Sequence, residues 1–381
     1  MTSARIVDAL SLPDYDLGPG HVFAVDRQTA LYDLLKRHKL FFENELLRCP
    51  PADRRQLETA HTAAYLDAVT ALSEDPPSAD LVATAPRWGL GTADNPLGPN
   101  QHAAAAARAG ATIGCVESVM SGQADHAFNP TGGLHHAMPA AASGFCIYND
   151  LVIGIHRARE LGAARVLYVD FDVHHGDGVE FAFASDPSVL TLSFHETPET
   201  RWPFTGRIDD LGKGAGRGSA INLPLAPHTA DESWLRCVRE VLIPLTLNFR
   251  PDLIVSQHGC DPHREDPLAE LSLTTAPMME AARIVHDLAH EVSDGRWVAT
   301  GGGGYQPIRV IPRAWAMVWA VMSGRELPEE VDPAWIEAWQ SRSPQPLPQT
   351  FFDPPIADPR HDAAAAINAR SVEKLGELLG W

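Results

Sequence analysis

From about residue 100 onward, segments with the hydrophobic period of a helix alternate with short runs rich in β-branched residues. The helical patterns cover residues 101–120, 151–161, 232–247 and 276–292, and the intervening strand patterns are RVLYVDFD, VLTLSFH, DLIVSQHG and RWVATGGGG. Such alternation is typical of a parallel sheet whose two faces are both covered by helices. The sequence therefore predicts an α/β fold with a mostly parallel sheet.

The length of 381 residues allows one large α/β domain or two smaller ones, and the 45% hydrophobic content allows a sizeable core. We place this domain at residues 1–324. Residues 325–381 are proline-rich and end in an amphipathic pattern at 363–379, so we expect a tail packed on the same domain. The Pro- and Gly-rich segment 73–99 is predicted to be a long surface loop.

Charge and cysteine content narrow the partners and the compartment. The net charge of −19 repels a phosphate backbone, so we expect no nucleic-acid partner. The five cysteines form no CxxC pair, which predicts neither a disulfide framework nor a thiolate zinc site and indicates a reducing cytoplasm. No apolar run approaches the roughly 20 residues that cross a bilayer, so we expect no membrane association and no export.

The segment YVDFDVHHGDGVE, residues 168–180, carries five acidic or imidazole groups within eight residues directly after a predicted buried strand. Residues i and i+2 of an extended chain face the same way, so Asp172 and His174 point together at the carboxyl end of the strand. Ligands of open parallel sheets bind at that end. The pair supplies two members of a three-ligand metal site with open positions for water and substrate.

The third ligand is predicted from the motif HGCDPH, which follows another strand of the same sheet. Asp261 is our candidate. His258 and His263 remain alternatives, because two histidines with one carboxylate form the commoner catalytic zinc set. The spacing alone does not decide between them.

Two further motifs bring polar groups to the same edge. His135 and His136 follow a glycine pair, whose backbone freedom allows adjacent imidazoles to face one cavity. The motif GGGGY follows the strand at 297–300; its glycines predict a close backbone approach, and Tyr305 presents a phenol.

Together these motifs resemble the zinc-dependent histone deacetylase family, and within it the bacterial acetoin-utilization deacetylase branch. The matching stretches, in the order of the family and within about residues 14–319, are YDLGPGH, GTADNP, GGLHHA, SGFCIYND, DFDVHHGDGVE, QHGCDPHREDPLAELSLT and GGGGY. The resemblance implies an arginase/deacetylase-like fold with the active site at the carboxyl ends of the strands.

The resemblance also assigns roles to residues. It implies that Asp172, His174 and Asp261 bind the metal, which places His258 and His263 outside the ligand set. The implied catalytic residues are a tandem histidine pair, the aspartate behind each histidine, and a carbonyl-polarising tyrosine: His135, His136, Asp170, Asp177 and Tyr305. The implied substrate contacts are a rim aspartate, two aromatic tunnel walls and the glycine beside one of them: Asp94, Phe145, Trp202 and Gly144.

The family also implies a structural potassium or sodium ion near the metal, held by the region of Asp170, Asp172, His174, Ser193 and Phe194. The catalytic metal is expected to be Zn²⁺, although one imidazole and two carboxylates also suit Fe²⁺, Co²⁺ or Mn²⁺. The sequence departs from the family pattern at Val22, where we expect proline, and at Phe204, where we expect glycine. Both departures concern the shape of the substrate site.

The predicted activity is hydrolysis of a linear amide C–N bond, releasing acetate and a free amine from acetyl-lysine of a protein or peptide. Deacetylation of a small acetylated amine such as a polyamine is the second reading. A non-catalytic acyl-lysine-binding protein is a third, which would be expected to lose Tyr305 or a ligand. A two-manganese ureohydrolase is disfavoured because position 175 is histidine and HGCDPH offers one aspartate. No oligomeric state is predicted.

Two other features are read as structural. The glycine-rich GKGAGRGS lacks the ending of a phosphate-binding loop and is predicted to be a packing loop. The remaining histidines without a partner pattern are predicted to be surface or core residues: His195, His228, His286 and His290.

Overall fold

The computed structural model describes residues 3–380, and its centre is an eight-stranded sheet in the order β2-β1-β3-β8-β7-β4-β5-β6. Every strand pair is parallel. The strands are β1 Ala4–Val7, β2 Leu46–Leu47, β3 His126–Asn129, β4 Val166–Asp170, β5 Val189–Glu196, β6 Ala220–Leu225, β7 Leu253–Gln257 and β8 Trp297–Thr300. The predicted fold class is confirmed.

Twelve α-helices lie within the described residues. They are α1 Asp26–Arg37, α2 Arg54–Leu57, α3 Ala63–Leu72, α4 Ala79–Val82, α5 Gln101–Met120, α6 Asp150–Glu160, α7 Asp177–Phe183, α8 Asp231–Phe249, α9 Thr275–Val292, α10 Ile311–Ser323, α11 Pro333–Trp339 and α12 Arg360–Leu379. The four helices predicted after residue 100 are present as α5, α6, α8 and α9. Not one helix between residues 3 and 380 combines the length and apolarity needed to cross a membrane.

Both faces of the sheet are buried, as the near-continuous apolar strands require. Neighbouring residues of β4 show this: Leu167 packs with the helices α8, α9 and α10 on one face, whereas Tyr168 packs with α5, α6 and α7 on the other. The helices therefore fix the sheet from both sides and leave the carboxyl ends of the strands free to carry functional loops.

The segment 73–99 differs from its predicted description as a plain loop. It contains α4 and a 3₁₀ turn at Ala85–Trp88. The Ser78 hydroxyl caps α4 by accepting the backbone N–H of Leu81 at 3.4 Å. Serine is a common N-cap residue, so Ser78 is a local signal for a short helix that the Pro- and Gly-rich composition of the segment hides.

The C-terminal segment lies against the sheet-bearing part of the chain. Helix α12 packs on α8 and β6, and the buried Asn368 amide donates to the hydroxyls of Thr229 at 2.8 Å and Ser233 at 3.0 Å. Upstream, the Trp335 indole N–H donates to the Ala30 carbonyl at 2.9 Å. The proposed domain division at residue 324 stays a prediction.

Candidate active site

Four adjacent strands, β3, β8, β7 and β4, end at the same edge of the sheet, and the loops that follow them carry the predicted site residues. The loop after β3 holds the histidine pair and the loop after β4 holds Asp172 and His174. The loops after β7 and β8 hold Asp261 and Tyr305. Neighbouring carboxyl ends thus place four separate stretches of chain around one pocket.

Asp172, His174 and Asp261 converge in this pocket. The Nδ1 atom of His174 lies 3.1 Å from Asp172 Oδ1 and 3.0 Å from Asp261 Oδ2. One donor atom from each residue lies within 4.8 Å of the others, and all three residues are buried. The structure therefore brings together the three residues that the sequence proposed as metal ligands.

The alternative ligands point elsewhere. The Nε2 atom of His258 lies 2.8 Å from the Ser256 hydroxyl, and Nε2 of His263 lies 3.0 Å from a carboxylate oxygen of Asp353. Both imidazoles are buried, and each is held by a hydrogen bond to a residue that lies outside the ligand set. They do not join the three converging residues.

Hydrogen bonds from the surrounding chain orient both carboxylates. Asp172 Oδ2 accepts the Gln257 side-chain N–H at 2.7 Å and the Gly303 backbone N–H at 2.8 Å. Asp261 Oδ1 accepts the Val173 backbone N–H at 2.9 Å. A Cβ atom at Gly303 would collide with the Asp261 carboxylate. The glycine run is required here because the backbone itself passes against the site.

The two buried carboxylates face each other and call for a positive charge between them. Burial and the neighbouring Asp172 raise the pKa of Asp261 well above its usual range. Burial opposes charge on His174, but Asp172 and Asp261 outweigh it and raise the pKa of His174 to about 10. The donor set therefore suits a cation of more than one charge.

His135 and His136 each have an aspartate behind the ring. His135 Nδ1 lies 2.7 Å from Asp170 Oδ2, and His136 Nδ1 lies 2.7 Å from Asp177 Oδ1. Because an ionised carboxylate only accepts hydrogen bonds, each imidazole donates through Nδ1 and keeps Nε2 for the pocket. The Tyr168 hydroxyl also donates to Asp170.

The surroundings shift the pKa values of the two histidines in opposite directions. Burial opposes protonation of His135, but the carboxylates of Asp170 and Asp172 raise the pKa of His135 to about 9. Burial and the neighbouring His135 lower the pKa of His136 to about 4, against the influence of Asp177. The surroundings therefore favour the charged form of His135 and the neutral form of His136, although the two ring centres are only 3.9 Å apart.

Aromatic side chains surround the pocket. The Trp202 ring centre lies 4.5 Å from that of His136, and the Phe145 ring centre lies 5.7 Å from that of Tyr305. Gly144 lies between these walls with φ of +49°, and a Cβ atom there would meet both His136 and Trp202. Burial raises the pKa of the Tyr305 phenol well above its usual range. The phenol is thus a hydrogen-bond donor at neutral pH.

Of the remaining predicted residues, Asp94 lies near the aromatic walls of the pocket, whereas Ser193 and Phe194 lie in the buried strand β5. Asp94 is exposed. Burial lowers the pKa of the His21 imidazole, and Asp94 lies close enough to His21 to oppose this larger effect by raising it. His21 in turn contacts Phe145, with ring centres 4.8 Å apart. Ser193 is the register partner of Asp170, and Phe194 stacks on Phe171 at 5.9 Å.

The two departures from the family pattern lie near the mouth of the pocket. Val22 follows His21 and is 42% exposed, whereas Phe204 is 60% exposed and lies two residues beyond Trp202. The backbone of Phe204 has φ of +63°, a conformation that glycine adopts without strain. A positive φ at this position is a physical reason for the glycine of the family pattern.

Several residues that orient the site were not predicted. Gln257 supports Asp172, Asp266 accepts the backbone N–H of Tyr305 at 2.8 Å, and Arg27 donates to the Gly302 carbonyl at 3.0 Å. Asn149 donates to the carbonyls of His135 and Ala137 at 3.2 and 3.1 Å. Gln257 and Asn149 lie within the stretches QHGCDPHREDPLAELSLT and SGFCIYND, so their position in these motifs was the available signal.

The loop of the histidine pair is also held by His61. Its Nε2 accepts the backbone N–H of Asn149 at 3.0 Å, so its Nδ1 carries the proton and donates to the Met138 carbonyl at 3.1 Å. The bond that Nε2 accepts requires the neutral ring, because a protonated Nε2 has no free electron pair. Burial, the largest effect, lowers the pKa of His61 from 6.5 to about 4.

Acidification is therefore expected to destabilise the protein through His61. Between the folded pKa of about 4 and the unfolded value of 6.5, the unfolded chain binds more protons, so stability falls as pH falls through this window. Between about pH 7 and pH 5 the loss is roughly 2 kcal/mol. Urea unfolding of the wild type and of His61→Gln at both pH values measures it, because glutamine offers a donor and an acceptor but does not titrate. Equal pH dependence in the two proteins would contradict the prediction.

Comparison with known proteins gives matches along almost the whole chain. The family model described as histone deacetylase domain matches residues 21–322. The acetoin utilization protein AcuC of Bacillus subtilis is 42% identical over 379 residues, which is 98% of this chain and 97% of the relative. AcuC of Staphylococcus xylosus is 32% identical over 379 residues, with the same shares covered.

Solved structures match the fold equally broadly. A crystal structure of an HDAC homologue complexed with SAHA superposes with a TM-score of 0.87 at 28% identity, covering 98% of this chain and 99% of the other. The HDAC homologue from Aquifex aeolicus gives 0.86 at 28% identity, with the same coverage. Sequence and fold thus agree on one set of relatives.

Proposed function

The chain belongs to the histone deacetylase family, and from this membership we propose that it is a metal-dependent hydrolase that removes acetyl groups from lysine side chains. Membership in a deacetylase family supports the reaction class. The observation that carries the proposal is the meeting of Asp172, His174 and Asp261 with two histidine–aspartate pairs and Tyr305 in one pocket.

The residues of the pocket fit a divalent metal. Two buried carboxylates provide hard oxygen donors, and one imidazole provides a borderline nitrogen donor. A cation bound between the carboxylates would balance their negative charges. We propose that Asp172, His174 and Asp261 hold Zn²⁺, with Fe²⁺, Co²⁺ or Mn²⁺ as chemically acceptable substitutes. When bound, the ion supplies Lewis-acid chemistry, polarising an amide carbonyl and making water acidic enough to react near neutral pH.

The side chains around this metal site supply proton transfer and charge stabilisation. One imidazole of the pair His135 and His136 accepts a proton from the attacking water, and one donates a proton to the departing amine. Asp170 and Asp177 hold the rings with Nε2 towards the pocket. The Tyr305 hydroxyl donates a hydrogen bond to the oxygen that becomes negative as the amide is attacked. Acetate and a free amine are the products.

The shape and charge of the entrance support acyl-lysine in a peptide as the substrate. In this proposal, Phe145 and Trp202 form the walls of the approach to the site, and the exposed Asp94 accepts a backbone N–H of the peptide. The exposed Val22 and Phe204 add apolar surface at the mouth, which suits the flanks of a peptide better than a polycationic polyamine. A small acetylated amine remains the second substrate class. The acidic chain in turn suits a basic or neutral partner.

A structural potassium or sodium ion is proposed beside the catalytic site. Asp170 of β4 lies opposite Ser193 of β5 in the sheet, and Phe194 is the next residue of β5. Asp172 and His174 lie in the loop that follows β4. The backbone and side-chain oxygens of this region are the hard ligands that such ions prefer. Five unpaired cysteines support the cytoplasm as the proposed compartment.

A turnover assay with an acetyl-lysine peptide, with and without a chelator, tests the function. We expect acetate release that the chelator abolishes and Zn²⁺ restores, and slower turnover of acetylated polyamines in parallel reactions. Peptide binding without acetate release would identify an acyl-lysine-binding protein and overturn the proposed activity. Faster turnover of the polyamine would keep the reaction but reverse the substrate order.

A further inference from the structure

Three histidines come together at the opposite edge of the sheet from the candidate active site. His126 opens β3, whereas His286 and His290 lie on α9. The ring centres are 5.0 Å apart for His126 and His286, 5.1 Å for His126 and His290, and 4.6 Å for His286 and His290. His286 is half-buried and His290 is exposed, as predicted for surface residues, but no pattern in the sequence indicates that they meet His126 in this histidine cluster.

The geometry of the histidine cluster is that of a ligand set. His286 and His290 are four residues apart and so lie on one face of α9, and His126 faces them from the neighbouring strand. One ring nitrogen from each residue lies within 4.8 Å of the others. Nitrogens bound to one tetrahedral ion are about 3.3 Å apart. The exposed His290 and half-buried His286 can close this difference by side-chain rotation.

An independent observation concerns His126. Its side chain is fully buried, yet neither ring nitrogen has a hydrogen-bond partner among residues 3–380. The Asp125 carbonyl comes near the ring and favours its protonated form, but it forms no hydrogen bond of normal geometry with either ring nitrogen and accepts the backbone N–H of Trp297 at 3.1 Å instead. A buried polar group without a partner is costly and calls for an explanation. The unpaired imidazole faces the two histidines of α9.

The charge state of His126 also suits a ligand. Burial and the neighbouring His286 lower the pKa of His126 to about 4, so the ring is neutral at physiological pH and keeps a free electron pair. Burial likewise lowers the pKa of His290. Metal binding by histidine requires this neutral form.

We propose that His126, His286 and His290 form a second metal site, which binds a divalent transition-metal ion through three imidazole nitrogens. Imidazole-only ligands suit Zn²⁺, Ni²⁺ or Cu²⁺ rather than Mg²⁺ or Ca²⁺. The ion joins the end of α9 to the beginning of β3 and satisfies His126. The four-residue strand β3 alone separates this edge from the catalytic edge by roughly 13 Å. The second site therefore has a structural role and does not take part in turnover.

Zn²⁺ stoichiometry measured by elemental analysis after dialysis tests the proposal on the full chain. The wild type is expected to bind one more Zn²⁺ than the double variant His286→Ala/His290→Ala. It is also expected to gain more thermal stability from added Zn²⁺ than the variant, which keeps only the catalytic site. Both substituted side chains reach the surface, so the variant is expected to fold, which circular dichroism verifies. His156→Ala, which changes a half-buried histidine outside the cluster, is the matched control and should bind as the wild type does.

The same comparison in an Asp261→Asn background separates the two metal sites. There, one Zn²⁺ per chain is expected to remain and to disappear with His286→Ala/His290→Ala. Acetate release by the double variant with Asp261 intact is expected to match the wild type. Equal Zn²⁺ content in the wild type and the double variant would overturn the second site, whatever the deacetylase assay shows.

Discussion

Replacement of Asp261 by asparagine is expected to abolish metal-dependent deacetylation. Asp261 Oδ1 accepts the Val173 N–H, and an asparagine that keeps this bond would turn its NH₂ group towards His174, where the carboxylate now offers Oδ2 at 3.0 Å. An amide nitrogen cannot serve as a metal ligand in that position. We expect turnover to fall at least about a thousandfold, because even the partners behind metal ligands commonly contribute about 10–100-fold.

Acetate release and bound metal, measured on the same preparations, check this prediction. Asp231→Asn is the matched control: Asp231 accepts two hydrogen bonds from Thr274, at 2.8 and 2.7 Å, and lies at the start of α8 away from the pocket. The control should retain metal and activity. Full metal content and wild-type turnover in Asp261→Asn would show that the pocket does not hold the metal through this residue.

The sequence predicted the chemistry of the site better than its supporting structure. Asp172 and His174 could be paired in advance because alternation along an extended strand is a local rule. No such local rule decides which of Asp261, His258 and His263 is the third ligand. Side-chain direction beyond a strand end depends on the loop, and the Ser256 hydroxyl that engages His258 points into the core. Asp261 is the candidate from its position after β7, but only the family resemblance excludes His258 and His263.

Elements with weak local signals were missed. Strand β3 reads HAFN, in which His, Ala and Asn have little strand propensity, and it forms because β1 and β8 pair with it on both sides. The histidine cluster shows the same limit. The spacing of His286 and His290 is visible in the sequence, but His126 lies far away in the chain and joins them only through tertiary packing.

Replacement of Tyr305 by phenylalanine is expected to slow turnover by about 10²–10³-fold, equivalent to about 2.7–4 kcal/mol, because one hydrogen-bond donor to the developing oxyanion is lost. The backbone N–H of residue 305 still donates to Asp266, and the ring still packs against Phe145 at 5.7 Å, so the pocket should keep its shape. The loss is therefore expected in kcat, with KM and bound metal little changed.

Steady-state kinetics with the acetyl-lysine peptide measure this effect, and elemental analysis verifies the metal. Tyr32→Phe provides the control, since it also removes one phenol hydroxyl, the donor to the Val7 carbonyl, at a position on α1 outside the pocket. The control should lose some stability, on the order of 1 kcal/mol, but no activity. A Tyr305→Phe enzyme with wild-type kcat would mean that the phenol does not stabilise the reacting carbonyl, and the charge would then have to be balanced by the metal and the histidine pair alone.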